Sequence, residues 1–340
     1  MQVAMPCTQV MLFRKQSQGN KVTERVTNEA SREIIVKNKI GFVANLEMGN
    51  MKTREALRAL ADIGYDAVEY SLADLNPERM TLQQMRNLVK KTEAQGLIIS
   101  EWMVQREFVH LDESIRRKEL ALTLDCIKAA SDLGIGTINC YTGPAPFMGL
   151  GSPYLHKEIS EEDGWQMVLD ACDKIVPLAE KCNIRIAVEA VYGMVCREYY
   201  TLQELLRHYA SDYLGVNYDP SHMELHYNSV GWTIRQLGGR IFHVHVKDVA
   251  GVPGYQMGNT FIFPLLGEGR VDWPDFFAGM DDIKYEGCFS LECESFDYYK
   301  RTLRKDFKTV AEIYFRDFKS LIKSRIEESQ NPLSSGRELR

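Results

Sequence analysis

Residues 241–249 read IFHVHVKDV. Side chains alternate faces along a strand, so Phe242, Val244 and Val246 share one face while His243, His245 and Lys247 share the other. Three other apolar runs repeat the pattern. In IRIAVEAV (184–191), Ile184, Ile186 and Val188 oppose Arg185, Ala187 and Glu189. In LGVNYDP (214–220), Val216 and Tyr218 oppose Asn217 and Asp219. In GCFSLECES (287–295), Phe289, Leu291 and Cys293 oppose Ser290, Glu292 and Glu294. Strands whose apolar parity packs on helices must turn the polar parity inward, into the centre of a barrel.

Working outward, KIGFVA (39–44), YDAVEYSL (65–72), LIISEWMV (97–104) and IGTINCY (135–141) complete a set of eight strand candidates. Amphipathic segments separate them. Residues 81–95 carry Leu82, Met85, Leu88 and Val89 on one face behind Thr81 as N-cap. Residues 160–182 open on Ser160 and Asp163 and repeat apolar positions from Trp165 to Ala179. Thr201 and Glu204 form a capping-box pattern ahead of Leu205, Leu206 and Tyr209. Gly64, Gly96 and Gly134 stand where a helix ends before a strand. Alternating strands and helices imply an α/β fold with a parallel sheet, and eight units favour a closed (β/α)8 TIM barrel. An open doubly wound sheet is the rival, but no G-x-G-x-x-G loop follows the first strand. The expected organisation is an N-terminal extension over 1–38, a barrel over 39–326 ending in a helix at 299–326, and a polar tail over 327–340.

Hydrophobic residues make up 45% of the 340-residue chain and charged residues 26%, the balance of a soluble globular protein. A formal charge of −6 disfavours a nucleic-acid partner. No apolar run reaches the ~18 residues of a membrane helix, and no basic stretch precedes the N-terminal apolar one, which speaks against a secretory signal. The eight cysteines form no C-x-x-C pair and lie mostly in strand-like or helix-like runs, as expected of reduced thiols in a cytoplasmic protein.

Buried carboxylates and imidazoles need partners, and salt bridges from Arg185 or Lys247 could supply some. A lone strand glutamate is more often such a partner than a ligand. Four successive strands presenting Glu189, Asp219, His245 and Glu292 at corresponding depth shift the balance toward a divalent-metal site. It would lie at the C-terminal face, where barrel enzymes place their chemistry.

With these residues in hand, the sequence resembles the xylose-isomerase-like barrels of the sugar phosphate isomerase/epimerase superfamily. The resemblance covers residues 39–320. It rests on A-V-E at 187–189, Y-D-P-S-H at 218–222, H-V-H-V-K-D at 243–248, G-E-G-R-V-D-W at 267–273 and S-L-E at 290–292. It implies Glu189, Asp219, His245 and Glu292 as metal ligands, with Glu189 and Glu292 also the catalytic acid/base pair. His222 is implied as a substrate contact, with a hydrogen bond orienting a ligand as the equal alternative. Lys247 reaches a substrate oxygen or pairs with Asp248. Glu294 is a substrate contact or a solvated carboxylate. Trp102, Tyr141 and Glu101 sit at strand ends and could line a sugar pocket, although aromatic residues there are as often packing. His243, one layer deeper, reads as structural, and His110, His156, His208 and His226 have no motif behind them.

Mixed carboxylate and imidazole ligation fits Mn²⁺ first, with Mg²⁺, Co²⁺ or Fe²⁺ compatible. The implied chemistry is proton abstraction beside a carbonyl, leading to epimerisation, isomerisation or elimination. Ketose 3-epimerases of this group carry an arginine shortly after the strand-7 histidine, whereas Val246 to Gly254 contains none. An insert at 249–266 instead brings Tyr255, Met257, Phe261 and Phe263, which suits an aryl-bearing substrate or a protein partner. C-glycoside deglycosidases, whose catalytic barrel works with a small second subunit, and inosose dehydratases are therefore the lyase alternatives. An oligomer, alone or with such a subunit, is the expected assembly. An apurinic endonuclease of the same fold would need a basic surface and more histidines, and a barrel that only binds sugar would have lost ligands.

Overall fold

The computed structural model describes residues 38–44, 51–146, 151–253 and 260–330. Its strands are β1 (Lys39–Val43), β2 (Ala67–Ser71), β3 (Ile98–Met103), β4 (Thr137–Cys140), β5 (Arg185–Glu189), β6 (Leu214–Tyr218), β7 (Ile241–Val246), β8 (Ala250–Gly251), β9 (Phe261–Ile262) and β10 (Cys288–Leu291). Eight of them close a parallel barrel in the order β1-β10-β7-β6-β5-β4-β3-β2, and β8 pairs antiparallel with β9 as a separate hairpin. All eight barrel strands fall inside the runs expected from the sequence. Several end early: β7 stops at Val246, so Lys247, Asp248 and Val249 leave the ladder and are free to build the C-terminal face.

The outer ring comprises α1 (Thr53–Ile63), α2 (Leu82–Glu93), α3 (Glu113–Leu133), α4 (Glu161–Cys182), α5 (Tyr199–His208), α6 (Pro220–Leu225), α7 (Val230–Leu237), α8 (Trp273–Asp282) and α9 (Phe307–Gln330). Local chemistry sets their ends. Thr81 and Gln84 make a reciprocal capping box at α2, and Ser160 accepts from the Asp163 N–H at α4. Gly64 and Gly134 close α1 and α3 in the left-handed conformation, at φ 114° and 74°. The box expected at Thr201 is shifted: Glu198 is the N-cap of α5 and Thr201 is its N3 partner. Tyr199 is buried edge-on against Trp232 of α7, which draws the first turn three residues earlier. The last helix begins at Phe307 rather than 299, because a π-turn at Tyr298–Thr302 and two positive-φ residues, Arg304 and Lys305, interrupt the chain.

Phe289 of β10 packs against Phe318 of α9 and Phe276 of α8, with ring centroids 5.7 and 6.0 Å apart. Each such burial contributes roughly 1.5–3 kcal/mol. Asn38 donates to the carbonyls of Tyr285 and Gly287, tying the entry of β1 to that of β10. Arg185 does not enter the barrel as a salt-bridge partner; its guanidinium lies over the Phe242 ring, 5.0 Å from the centroid. Among the described residues every cysteine is free, and no helix is long and apolar enough to cross a membrane. Tyr255 and Met257 of the insert, residues 1–37 and the end of the tail from 331 lie outside the described residues.

Candidate metal centre

Glu189 is the last residue of β5, Asp219 and Glu292 directly follow β6 and β10, and His245 is the penultimate residue of β7. One ligating atom from each of these four buried residues falls within 4.8 Å of every other. His245 Nδ1 is 3.3 Å from Glu189 Oε1 and 3.3 Å from Glu292 Oε2. Three carboxylates and an imidazole on four neighbouring strands form a donor set suited to a hard or borderline divalent ion.

Each carboxylate is held from behind. Glu189 Oε2 accepts from Gln105 Nε2 at 3.0 Å and Asn139 Nδ2 at 3.2 Å. Asp219 is the N-cap of α6, with Oδ1 accepting from the N–H and hydroxyl of Ser221 at 2.8 and 2.6 Å. Glu292 Oε2 accepts from Lys247 Nζ at 2.8 Å. Lys247 also lies 2.9 Å from Asp219 Oδ2 and 2.9 Å from Glu294 Oε2. Burial opposes its charge, but those three carboxylates outweigh burial and hold the ammonium well above its ordinary pKa. Burial raises Glu292 while Lys247 and His245 pull it down, and the cations win. For His245, burial disfavours the cation, but Glu69, Glu189 and Glu292 lift it well above an ordinary imidazole.

His222, on α6, reaches the same centre, with Nε2 3.6 Å from Asp219 and 3.9 Å from Glu189. Burial depresses its pKa to about 3, so it stands neutral at physiological pH. Its ring meets Tyr192 and Phe263 at centroid distances of 5.8 and 5.7 Å, and Phe263 also carries Lys247 Nζ 4.6 Å above its face. The apolar insert therefore forms one wall of the centre. Glu294 faces the cluster through Lys247, and burial raises its pKa to about 7 despite that partner.

Two expectations are corrected here. Lys247 does not pair with Asp248. That carboxylate, 1% exposed, accepts from the N–H groups of Val249, Gly267, Gly269 and Val271 and from Trp273 Nε1, pinning the G-E-G-R-V-D-W loop. Trp102 does not line a sugar pocket. It pairs in register with Tyr70, whose hydroxyl bonds Thr92 of α2, so the indole packs in the core on the helix side. Tyr141, two residues beyond Asn139, is buried, with burial and then Glu107 raising its phenol. His243 sits one layer down, Nε2 3.0 Å from Glu69 and 2.8 Å from Ser290. His226 holds the His222 carbonyl at 3.0 Å, and the His110 ring accepts the Asp112 N–H at the surface.

The sequence reading missed Glu69, Gln105, Asn139 and Tyr192. Glu69 was detectable: it is a carboxylate inside the apolar run AVEYS of β2, where the same parity test applies. It lies 2.9 Å from His245 Nε2 and is fully buried. Burial pushes it up, but His245 and His243 bring it down to about 2. Glu101 is also fully buried, and neither carboxyl oxygen has a hydrogen-bond partner among the described residues, His243 Nε2 standing 4.0 Å from Oε2. Burial and the neighbouring Glu69 raise it well above the carboxylate range, toward the neutral acid.

The sequence profile of the xylose isomerase-like TIM barrel family matches residues 57–314. The chain belongs to that family. Among curated relatives in this xylose isomerase-like group, D-psicose 3-epimerase of Ruminiclostridium cellulolyticum is 23% identical over 185 residues, 53% of this chain and 57% of that protein. Inosose dehydratase of Geobacillus thermodenitrificans is 22% identical over 148 residues, 41% of this chain and 50% of that protein. The matched region thus spans about half the length of these relatives. A crystal structure of the IolI protein with a zinc atom superposes with a TM-score of 0.68 at 16% identity, covering 84% of this chain and 99% of that one. That likeness establishes the shared barrel.

Proposed function

We propose that this chain is a divalent-metal-dependent sugar isomerase or epimerase that moves a proton at a carbon next to a carbonyl. The observation that carries this reading is the convergence of Glu189, Asp219, His245 and Glu292 from four neighbouring strands. The zinc of IolI and the sugar chemistry in the relatives' names support it. Mn²⁺ suits the donor set first, with Mg²⁺, Co²⁺ or Fe²⁺ as alternatives. When bound, such an ion supplies Lewis-acid polarisation of a carbonyl oxygen, which acidifies the adjacent C–H.

The chain's own residues do the rest. Gln105 and Asn139 fix Glu189 through Oε2, so Oε1 faces the centre as the proton acceptor. Glu292, an ionised carboxylate at rest, takes a proton from the Lys247 ammonium that contacts its Oε2 and delivers it to the carbon from the other side. Return to the same carbon epimerises; return to its neighbour isomerises. His222 and Tyr141 offer hydrogen bonds to sugar hydroxyls, and Lys247 with Glu294 offers others beside the metal ligands. Phe261, Phe263 and Tyr192, all buried together, keep water from the carbanion-like carbon. Assembly as an oligomer, alone or with a small second subunit, and a cytoplasmic setting for the free thiols complete the reading.

A second reading is a lyase, in which loss of a β substituent follows the same proton abstraction: an inosose dehydratase or a catalytic subunit cleaving 3-oxo-C-glycosides. A cavity of about 650 Å³ favours it, bounded by Phe263, Leu265, Phe296, Tyr298 and Glu294. It is a mostly apolar space that a free ketose has no use for. The deciding experiment incubates the Mn²⁺-loaded protein in D₂O with ketoses, inososes and 3-oxo-glycosides and follows each by NMR. Deuterium at a sugar carbon without loss of a group supports the isomerase. Release of water or an aglycone transfers the assignment to the lyase. A protein that binds no divalent metal sinks both.

A further inference from the structure

Glu69 reaches the metal centre only through His245. Its side chain projects from β2 into the barrel with no exposed surface, and each carboxylate oxygen meets a different imidazole. Oε1 lies 2.9 Å from His245 Nε2, and Oε2 lies 3.0 Å from His243 Nε2. The second contact matters mechanically, because a carboxylate gripped at both oxygens cannot rotate away from His245. Ser290 Oγ, 2.8 Å from His243 Nε2 and 3.3 Å from Ser100 Oγ, continues the brace across the barrel floor. The other nitrogen of His245, Nδ1, is the one that faces Glu189 and Glu292.

A ring nitrogen can hold a cation only if it presents a lone pair, so the ring proton must sit on the opposite nitrogen. A carboxylate facing Nε2 accepts and does not donate. We infer that Glu69 is a positioning residue of the centre: it holds the His245 proton on Nε2, keeps the Nδ1 lone pair aimed at the ligand set, and makes that nitrogen a stronger donor. This inference rests on His245 being a metal ligand, as proposed above. The arrangement also explains a buried carboxylate in a strand that otherwise contributes no group to the four-residue set. In Glu69→Gln the negative charge is gone, and an amide turned with its NH₂ toward Nε2 stabilises the tautomer that places a proton on Nδ1.

The test measures Mn²⁺ affinity by titration calorimetry, and the Co²⁺ d–d absorption bands, in the wild type, Glu69→Gln and Glu69→Asp. Circular dichroism checks the fold of each. Glu69→Gln is expected to lose about 10- to 100-fold in affinity and to shift the Co²⁺ bands, with Glu69→Asp recovering part of both. A residue that merely fills the floor would lower the melting temperature and leave the bands alone. Wild-type affinity and unshifted bands in folded Glu69→Gln overturn the inference while leaving the metal site intact. Two ions in the wild type and one in Glu69→Gln overturn it differently, by making Glu69 a ligand. A wild type that binds no Mn²⁺ overturns the metal reading itself. Should Glu69→Gln not fold, Glu69→Asp carries the test: a loss of about threefold or more with shifted bands supports the role, and unchanged binding refutes it.

Discussion

Lys247 Nζ stands 2.8 Å from Glu292 Oε2 and 2.9 Å from Asp219 Oδ2, so a buried ammonium bridges two of the four proposed metal ligands. Breaking a buried ion pair from one side costs about 3–5 kcal/mol, because the remaining carboxylates lose their cation in a buried site. Lys247→Met should therefore melt several degrees lower without metal. Saturating Mn²⁺ should restore much of the loss, since the ion supplies the missing positive charge. The variant should bind Mn²⁺ at least as tightly as the wild type while turnover falls. Calorimetry and melting curves with and without Mn²⁺ decide it; weakened binding would show that Lys247 supports the ion rather than repelling it.

Glu189 and Glu292 each place a carboxylate oxygen 3.3 Å from His245 Nδ1. A positioned acid or base contributes about 10²- to 10⁴-fold. Glu189→Gln and Glu292→Gln should each lower solvent-deuterium incorporation into the substrate by that range, compared at saturating metal. Gln keeps the shape and one acceptor oxygen, so losses confined to metal affinity, with full exchange at saturation, would remove the proton-transfer role.

The barrel was legible because its signal is repeated. Eight apolar runs at barrel spacing survive an error in any one of them, and the polar parity of the last four strands held at Glu189, Asp219, His245 and Glu292, whose polar atoms converge in the structure. What escaped depends on contacts between distant segments. Gln105 lies outside any strand, and nothing local says that it will meet Glu189, 84 residues on. Trp102 misled because a strand-end aromatic can face either way; its parity with Tyr70 settles the matter once the register is known. Asp248 was misread because its partners are backbone N–H groups up to Val271, and sequence shows charges more readily than amides. The Thr201 box failed by three residues because Glu198, an uncommon N-cap, wins when Tyr199 is buried.

Metal binding should release a proton. Glu69, Glu189 and Glu292 together lift His245 well above an ordinary imidazole, so at neutral pH it favours the protonated form, which cannot ligate. Raising the pH removes that competing proton; lowering it strengthens the competition. Mn²⁺ affinity should thus climb with pH by up to about tenfold per unit for each proton displaced. His222, depressed to about 3, stays neutral throughout and adds no step of its own between pH 5 and 8. Calorimetry at pH 7 in two buffers of different ionisation enthalpy counts the protons directly. Affinity independent of pH would place the ligating histidine elsewhere.

The loop from Gly267 to Trp273 is anchored by one carboxylate at four of its donors. Asp248 Oδ2 accepts from the N–H groups of Gly267 and Gly269 at 3.0 and 3.1 Å and from Trp273 Nε1 at 3.2 Å, while Oδ1 takes the N–H of Val271 at 3.1 Å. A buried donor left without its acceptor costs about 1–3 kcal/mol. Asp248→Ala strands several at once, and a loss of several kcal/mol in unfolding free energy should follow. Gly269→Ala tests the same contact from the opposite side, because an added Cβ would fall 2.0 Å from Asp248 Oδ1 and 2.6 Å from the Val249 carbonyl oxygen. The loop must then move off its anchor, and this variant should be destabilised in the same direction. Because Asp248 immediately follows Lys247, both variants should also lower turnover through displacement of the ammonium. Denaturant unfolding of the two single variants and the double variant checks this. The double variant should lose less than the sum, since each change disables the same anchor; full additivity would mean that the two residues act apart.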